Sequence, residues 1–266
     1  MPRLFLPLVL LLSASTVGQN SVDTIIQRSV AANNRDWEAA AEFDCLEQDQ
    51  VKGGSETYQD MMILGSPYER LVAVNEKPLT SAGEADQRRK LDDVISERKK
   101  ESAQKRTERI AKYEAERKRD HSLMGELVKA FDFKLLGEQR LNGYDVYVLQ
   151  AKPRPSYQPP DMETRVLTGM QGQLWIDKNT FQWVKVEAQV TRPVSIAGFL
   201  ARVEPGTHFE LDKTPVSADV WLPRHFSMRS RAKILFLFHH HGQEDDTYFD
   251  YHKARTSSAD VSTSAH

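Results

Sequence analysis

Gly172-Gln173-Leu174-Trp175-Ile176-Asp177-Lys178-Asn179-Thr180-Phe181-Gln182-Trp183-Val184-Lys185-Val186-Glu187 is the stretch on which the fold turns. Aromatic and β-branched residues crowd both sides of a short polar segment, the composition of strands rather than helices. The stretch reads as a hairpin, with one strand over 171–177, a turn at Lys178-Asn179-Thr180 and a second strand over 181–190. That register brings Trp175 and Trp183 within cross-strand reach of each other.

The chain on either side repeats the pattern. Strands over 133–140 and 144–151 flank Leu141-Asn142-Gly143, and Asn-Gly is the favoured pair for a tight hairpin turn. Along the second of these strands Tyr144, Val146 and Val148 alternate with Asp145, Tyr147 and Leu149. Pro153, Pro155, Pro159 and Pro160 make the next segment a loop, because proline cannot donate to a sheet ladder. Further strands are expected over 43–47, 57–64, 68–74, 203–211, 225–238 and 248–251. The turn between the second and third of these is Gly65-Ser66-Pro67.

Helical spacing is confined to three places. Val22, Ile25, Ile26 and Val30 share one face of a helix that Ser21 can cap and that Asn33-Asn34-Arg35-Asp36 should end. Over 84–119, 22 of 36 residues are charged, 13 basic and 9 acidic, with neither proline nor glycine among them. Acid-before-base pairs such as Glu101 and Lys105, or Glu108 and Lys112, support a solvated helix. Its apolar residues are too sparse for a coiled-coil seam. Leu123, Leu127, Val128 and Phe131 then form an amphipathic stretch suited to docking on a sheet.

The first residues, Met1-Pro2-Arg3 followed by Leu4 through Leu12 and then small residues, have the layout of a secretion signal, with cleavage expected between about residues 13 and 20. The expected organisation is a signal peptide over 1–18, one domain over 19–253 with a helical insertion or lid over 84–131, and a disordered tail over 254–266. Cys45 is the only cysteine, so an exported chain of this composition is held by packing without an internal disulfide. A net charge of −2 offers no attraction to nucleic acid. No phosphate-binding glycine loop, zinc-protease helix, paired-cysteine motif or nucleophile elbow occurs, so no catalytic role and no cofactor is assigned. His239-His240-His241 is conspicuous, but adjacent strand residues point to opposite faces, so it is read as a strand end and not as a metal centre.

The 172–187 hairpin, with its strand ending in Trp-Ile-Asp, resembles a hairpin of the periplasmic lipoprotein-carrier (LolA-like) superfamily. Gly143-Tyr144-Asp145-Val146-Tyr147-Val148-Leu149 resembles the strand that precedes it there, and the order of signal, first helix, strands, helical crossing and strands is similar. The resemblance implies an α+β fold: a curved antiparallel sheet, an open half-barrel, covered by helices, here with one long charged helix inserted. It implies an exported periplasmic binding protein, not an enzyme, that carries a lipid or the acyl chain of a lipoprotein. The residues expected to line its pocket are Leu127, Phe131, Tyr144, Val146, Val148, Trp175, Trp183, Val184 and Val186. The alternative is an envelope interaction or sensor protein, without carried ligand, that meets a protein partner through the charged helix. A monomer is expected in either case.

Overall fold

A computed structural model describes residues 16–162, 164–195, 201–234 and 238–254. The signal-like stretch up to residue 15 and the tail from residue 255 lie outside the described residues. The chain begins with helix α1 (Thr16–Ala40), then runs through β1 (Phe43–Val51), β2 (Gly54–Ile63), β3 (Ser66–Val74) and the short β4 (Lys77–Pro78). Helices α2 (Ser81–Lys100) and α3 (Ala103–Ala130) follow, then β5 (Phe131–Leu141), β6 (Tyr144–Pro153) and a 3-10 turn over Thr164–Gly169. The second half is β7 (Met170–Asp177), β8 (Trp183–Val190), β9 (Val194–Ser195), β10 (Ala201–Val203), β11 (His208–Pro215), β12 (Trp221–Ile234) and β13 (Phe238–Lys253).

All pairings are antiparallel. Eleven strands of one sheet follow the order β4-β3-β2-β1-β13-β12-β11-β8-β7-β6-β5, with β10 paired to β12 and β9 to β10. β4 and β5 end the order without meeting, so the sheet stays open. The pairing of β1 with β13 joins the two ends of the chain and fuses an N-terminal wing, β1 to β4, to the larger C-terminal body. No described helix is long and apolar enough to cross a membrane.

Helix α1 packs its apolar face, Val22, Ile25 and Ile26, on one side of the body. The core there holds Leu149, Ala151, Leu174, Ile176, Trp183, Val186 and Val190 from the sheet, with Leu127 and Val128 of α3 at its margin. Leu149 and Ile176 are fully buried. We call this the inner face of the sheet.

Three expectations need correction. α1 does not end at Asn33–Asp36 but continues to Ala40. Those polar residues are not a stop signal: Asn33 and Asp36 are buried and bond to the sheet, so burial by tertiary partners overrides their local preference for a helix end. The charged segment is two helices and not one. Glu101 is extended (φ −56°, ψ 140°), and the Ser102 hydroxyl accepts from Lys105 N–H to cap α3 anew. α3 then runs unbroken through the amphipathic stretch to Ala130.

The third correction concerns the deciding hairpin. It forms, but β8 starts at Trp183, because the turn is wider than the tripeptide. The Asp177 carboxylate accepts from the backbone N–H groups of Asn179 and Thr180, and Phe181 takes a left-handed φ of 62°. A β-bulge follows: Trp175 pairs with Lys185 while Ile176 pairs with Trp183, leaving Val184 as the extra residue. The bulge turns Trp183 to the inner face and leaves Trp175 on the outer one, so the two indoles belong to different clusters.

Candidate functional site: a two-part inner face

Directly paired residues of an antiparallel ladder share a face of the sheet. One row of such pairs crosses the sheet from edge to edge. It runs Leu135, Leu149, Leu174, Val186, Leu211, Phe226, Asp246, Asp49, Glu56, Val74 and Lys77. The first six are apolar and the next three are carboxylates. The neighbouring row repeats the change, from Ala188 through Phe209 and Met228 to Glu244. On the wing side, Glu47 pairs with Tyr248 and Tyr58, and Cys45 with Asp60, which pairs with Glu69. The inner face is therefore apolar under α1 and acidic on the wing, with half-buried Phe226 and Met228 at the join.

The acidic half carries an unusual electrostatic load. Burial pushes the Glu47 carboxyl up to about 8, and its contact with Asp60 adds to the rise. Burial and the neighbouring Glu244 hold Asp246 at about 6. Asp49 and Glu69 are also raised, first by burial and then by carboxylates, Asp246 and Asp60 acting on Asp49 and Asp60 on Glu69, while burial raises Asp60 against the lowering hydrogen bonds of Glu47 and Cys45. Cys45 rises to about 12 by burial and the Asp60 charge, its Sγ lying 3.8 Å from Asp60 Oδ2. One Asp49 oxygen and one Asp60 oxygen are buried with no hydrogen-bond partner among the described residues. Burial and the contact between the two carboxyls thus favour a proton on Glu47, whose carboxyl is raised to about 8, beside Asp60.

A second polar cluster ties α1 to the body. Lys213 Nζ donates to Asp36 Oδ2 (2.5 Å) and Asn33 Oδ1 (2.9 Å). Gln182 Nε2 (2.9 Å) and the Trp221 backbone N–H (3.0 Å) both donate to Asp36 Oδ1. All four side chains are buried, and burial lowers the lysine's proton affinity against the raising effect of Asp36. This network fixes the position of α1 over the apolar half.

The nine residues expected to line a pocket divide between the two faces. Leu127, Phe131, Trp183 and Val186 meet in the inner core. Tyr144, Val146, Val148, Trp175 and Val184 meet on the outer face with Trp221, whose ring lies 4.8 Å from that of Tyr144. Alternation separates them: Val146 and Val148 oppose Asp177 and Trp175, whereas Leu149 opposes Leu174. The acidic residues went unread because their partners lie about 200 residues away, although the run Glu47, Asp49 at a spacing of two was visible. The side chains of His239, His240 and His241 lie outside the described residues, although their backbone belongs to β13.

α3 reaches from the wing to the body. Arg109 donates to Leu64 O and Ser66 Oγ at the β2–β3 turn and pairs with Glu101. Arg98 of α2 donates to Ile63 O and Ser66 O at the same turn. Further along, Arg117 donates to Trp37 O, and His121 stacks on Trp37 at 4.3 Å between centroids. Arginine and aromatic contacts thus hold the α2–α3 corner to the wing and α3 to α1, while Lys99, Lys100, Lys105, Arg106 and Lys112 face solvent.

No family model matches the chain, and no curated protein matches it. Among solved structures, the chain is similar to a putative outer membrane lipoprotein-sorting protein domain from Vibrio parahaemolyticus (11% identity, 88% of this chain and 95% of that one, TM-score 0.33). It is similar also to a DUF1329 family protein from Desulfovibrio piger (9% identity, 89% and 95%, TM-score 0.35). A third similar structure is a LolA superfamily protein from Nitrosomonas europaea (9% identity, 87% of this chain and 92% of that one, TM-score 0.32).

Proposed function

We propose that the protein is an exported, non-enzymatic binding protein of the periplasm that takes the apolar chain of a lipid or lipoprotein against the inner face of its open half-barrel. The observation that carries this reading is the paired row in which apolar residues run to Phe226 and carboxylates begin at Asp246. An acyl chain lies along the half-buried Phe226 and Met228 at the margin of the α1-covered core. A hydrocarbon chain gains about 25 cal/mol for each Å² it removes from water there. The head group faces the wing, whose carboxylates repel an anion and accept a cationic or neutral head. The test is displacement of a fluorescent acyl probe from delipidated protein. Dodecylamine is expected to displace it at least tenfold more effectively than dodecanoate, and Phe226→Asp to abolish probe binding. Absence of saturable probe binding, together with absence of lipid in native mass spectra of protein taken from its own envelope, would refute the carrier reading.

The alternative, an envelope interaction protein, is favoured by one observation: the solvent-facing basic residues of α2 and α3, with α3 held to both the wing and α1. In that case reversing Lys105, Arg106 and Lys112 abolishes capture of an acidic partner and leaves probe binding unchanged.

A further inference from the structure

The outer face carries a separate cluster that neither the acyl-chain reading nor the charged helices use. Glu210 and Asp212 stand two apart on β11, so they point to one side, and Asp212 pairs directly with His225 on β12. In the row that crosses the sheet, Lys185, Asp212, His225 and Thr247 are successive partners, which places this group on the face opposite Phe226 and Asp246. One liganding atom from each of Glu210, Asp212 and His225 lies within 4.8 Å of the other two.

We infer that Glu210, Asp212 and His225 form a binding site for a divalent transition ion, Zn²⁺ in the first instance. Two features of the side chains point to a ligand beyond proximity. Asp212 is 9% exposed, and its Oδ1 is buried without a hydrogen-bond partner among the described residues, while Oδ2 pairs with Arg224 at 3.1 Å. A buried carboxylate oxygen left bare costs free energy that a coordinated cation restores. His225 Nε2 lies 3.0 Å from Asp245 Oδ1. A carboxylate on one ring nitrogen orients the imidazole and leaves the other nitrogen, Nδ1, unprotonated, which is the arrangement of a metal-bound histidine and its outer partner.

The third ligand, Glu210, is held by Lys185 and leaves it to close on the ion. Lys185 Nζ bridges Glu210 Oε1 (2.5 Å) and Glu187 Oε1 (2.8 Å), so it keeps Glu187 when Glu210 closes on the ion. Zinc bonds of about 2.0–2.2 Å in a tetrahedron hold ligand atoms about 3.3–3.6 Å apart, so the three atoms draw together by roughly 1 Å on binding. Water completes the fourth position, since three protein ligands leave one open. Lys185 and Arg224 offset part of the carboxylate charge, so the ion is held less tightly than a structural zinc.

The test uses the full chain, stripped with chelator, in two backgrounds: native, and with His239, His240 and His241 all replaced by Ala. Zn²⁺ is titrated by calorimetry, and Co²⁺ is followed by its visible absorption. One ion per chain is expected in both backgrounds, with Kd raised at least tenfold by His225→Gln and by Asp212→Asn. Zn²⁺ is expected to raise the melting temperature of the native chain and not of these variants. Glu210→Gln serves as a third variant should either of the others fail to fold. The inference is overturned if stoichiometric binding disappears with the three consecutive histidines and survives His225→Gln. It is overturned equally if Glu47→Gln/Asp49→Asn, on the inner face, removes the ion, or if no stoichiometric binding is found.

Discussion

The two halves of the inner face share one hydrogen-bonded ladder and obey opposite rules. On the body, Leu149, Leu174 and Val186 pair in sequence and disappear beneath α1. Across the join, Asp246 of β13 pairs in the same row with Asp49 and Glu56 of the wing; burial and Glu244 hold Asp246 above its ordinary range, and burial and Asp246 raise Asp49. Backbone geometry is common to both, so the contrast lies wholly in the side chains. The body is what side chains look like when packing sets them. The wing works against folding at neutral pH, because buried like charges lose hydration and gain repulsion. Residues retained at a standing cost to stability are characteristic of places where something binds. The difference also yields measurable contrasts, which differ in size.

The largest effect is expected where α1 is fixed to the body. Asp36→Ala removes the acceptor of Lys213, Gln182 and the Trp221 N–H together. Breaking a buried pair from one side leaves an uncompensated charge and costs about 3–5 kcal/mol. Urea unfolding measures it. A loss below about 1 kcal/mol would mean that α1 is held by its apolar face alone.

Next comes a direct contrast along the row. Leu149→Ala, at a fully buried body position, should cost about 2–5 kcal/mol through lost burial and the cavity left behind. Asp49→Asn on the wing removes a charge facing Asp246, Asp60 and Glu56, and at pH 8 it should leave stability unchanged or raise it. Opposite signs at two positions of one ladder are the signature of a divided face. Two losses of similar size would show that the carboxylates are structural.

The wing also sets a pH dependence, with a sign opposite to that of an ordinary salt-bridged carboxylate. Glu47 is raised from 4.5 to about 8 in the folded chain, so between those values the native state binds more protons than the unfolded one. Stability therefore falls as pH rises through that window. Asp246, raised from 3.8 to about 6, acts in the same direction at its lower end. The groups facing Glu47 are Asp60 and Tyr58 from β2, Asp49 from β1, and Tyr248 and Asp246 from β13. The melting temperature is expected to be higher at pH 5 than at pH 8, and Glu47→Gln should flatten the slope. A slope that Glu47→Gln leaves intact would move the proton elsewhere in the cluster.

The hairpins were legible because their signals are local. Asn142 (φ 52°) and Gly143 (φ 89°) adopt the left-handed pair that an Asn-Gly turn foretells, and the strand before it begins at Phe131, as the amphipathic stretch ends. What escaped was non-local. Nothing near Val184 announces a bulge, yet that one residue sends Trp175 and Trp183 to different faces and divides the expected pocket. Asn33 and Asp36 have the composition of a helix end until Lys213, 177 residues beyond Asp36, supplies the partner that buries them. The acidic half depends on β1 lying beside β13, a pairing no local pattern in the sequence encodes.

The smallest effect is expected on the helix that spans the two halves, and it separates the anchored length of α3 from its solvated length. Leu127, half-buried against the α1 core, becomes a charge in apolar surroundings in Leu127→Asp, at a cost of about 2–4 kcal/mol. Lys105 is exposed, and its backbone N–H, not its side chain, makes the capping bond to Ser102 Oγ. Lys105→Asp keeps that bond and places a negative charge in the first turn of a helix that has no acidic residue there. Negative charge near a helix N-terminus is favourable by a few tenths of a kcal/mol in an exposed position. The loss of helix propensity from lysine to aspartate opposes this by a similar amount. The net change should lie within about 0.5 kcal/mol of zero in thermal or urea unfolding. A loss approaching that of Leu127→Asp would place the start of α3 against the sheet, and the solvated crossing between wing and body would have to be given up.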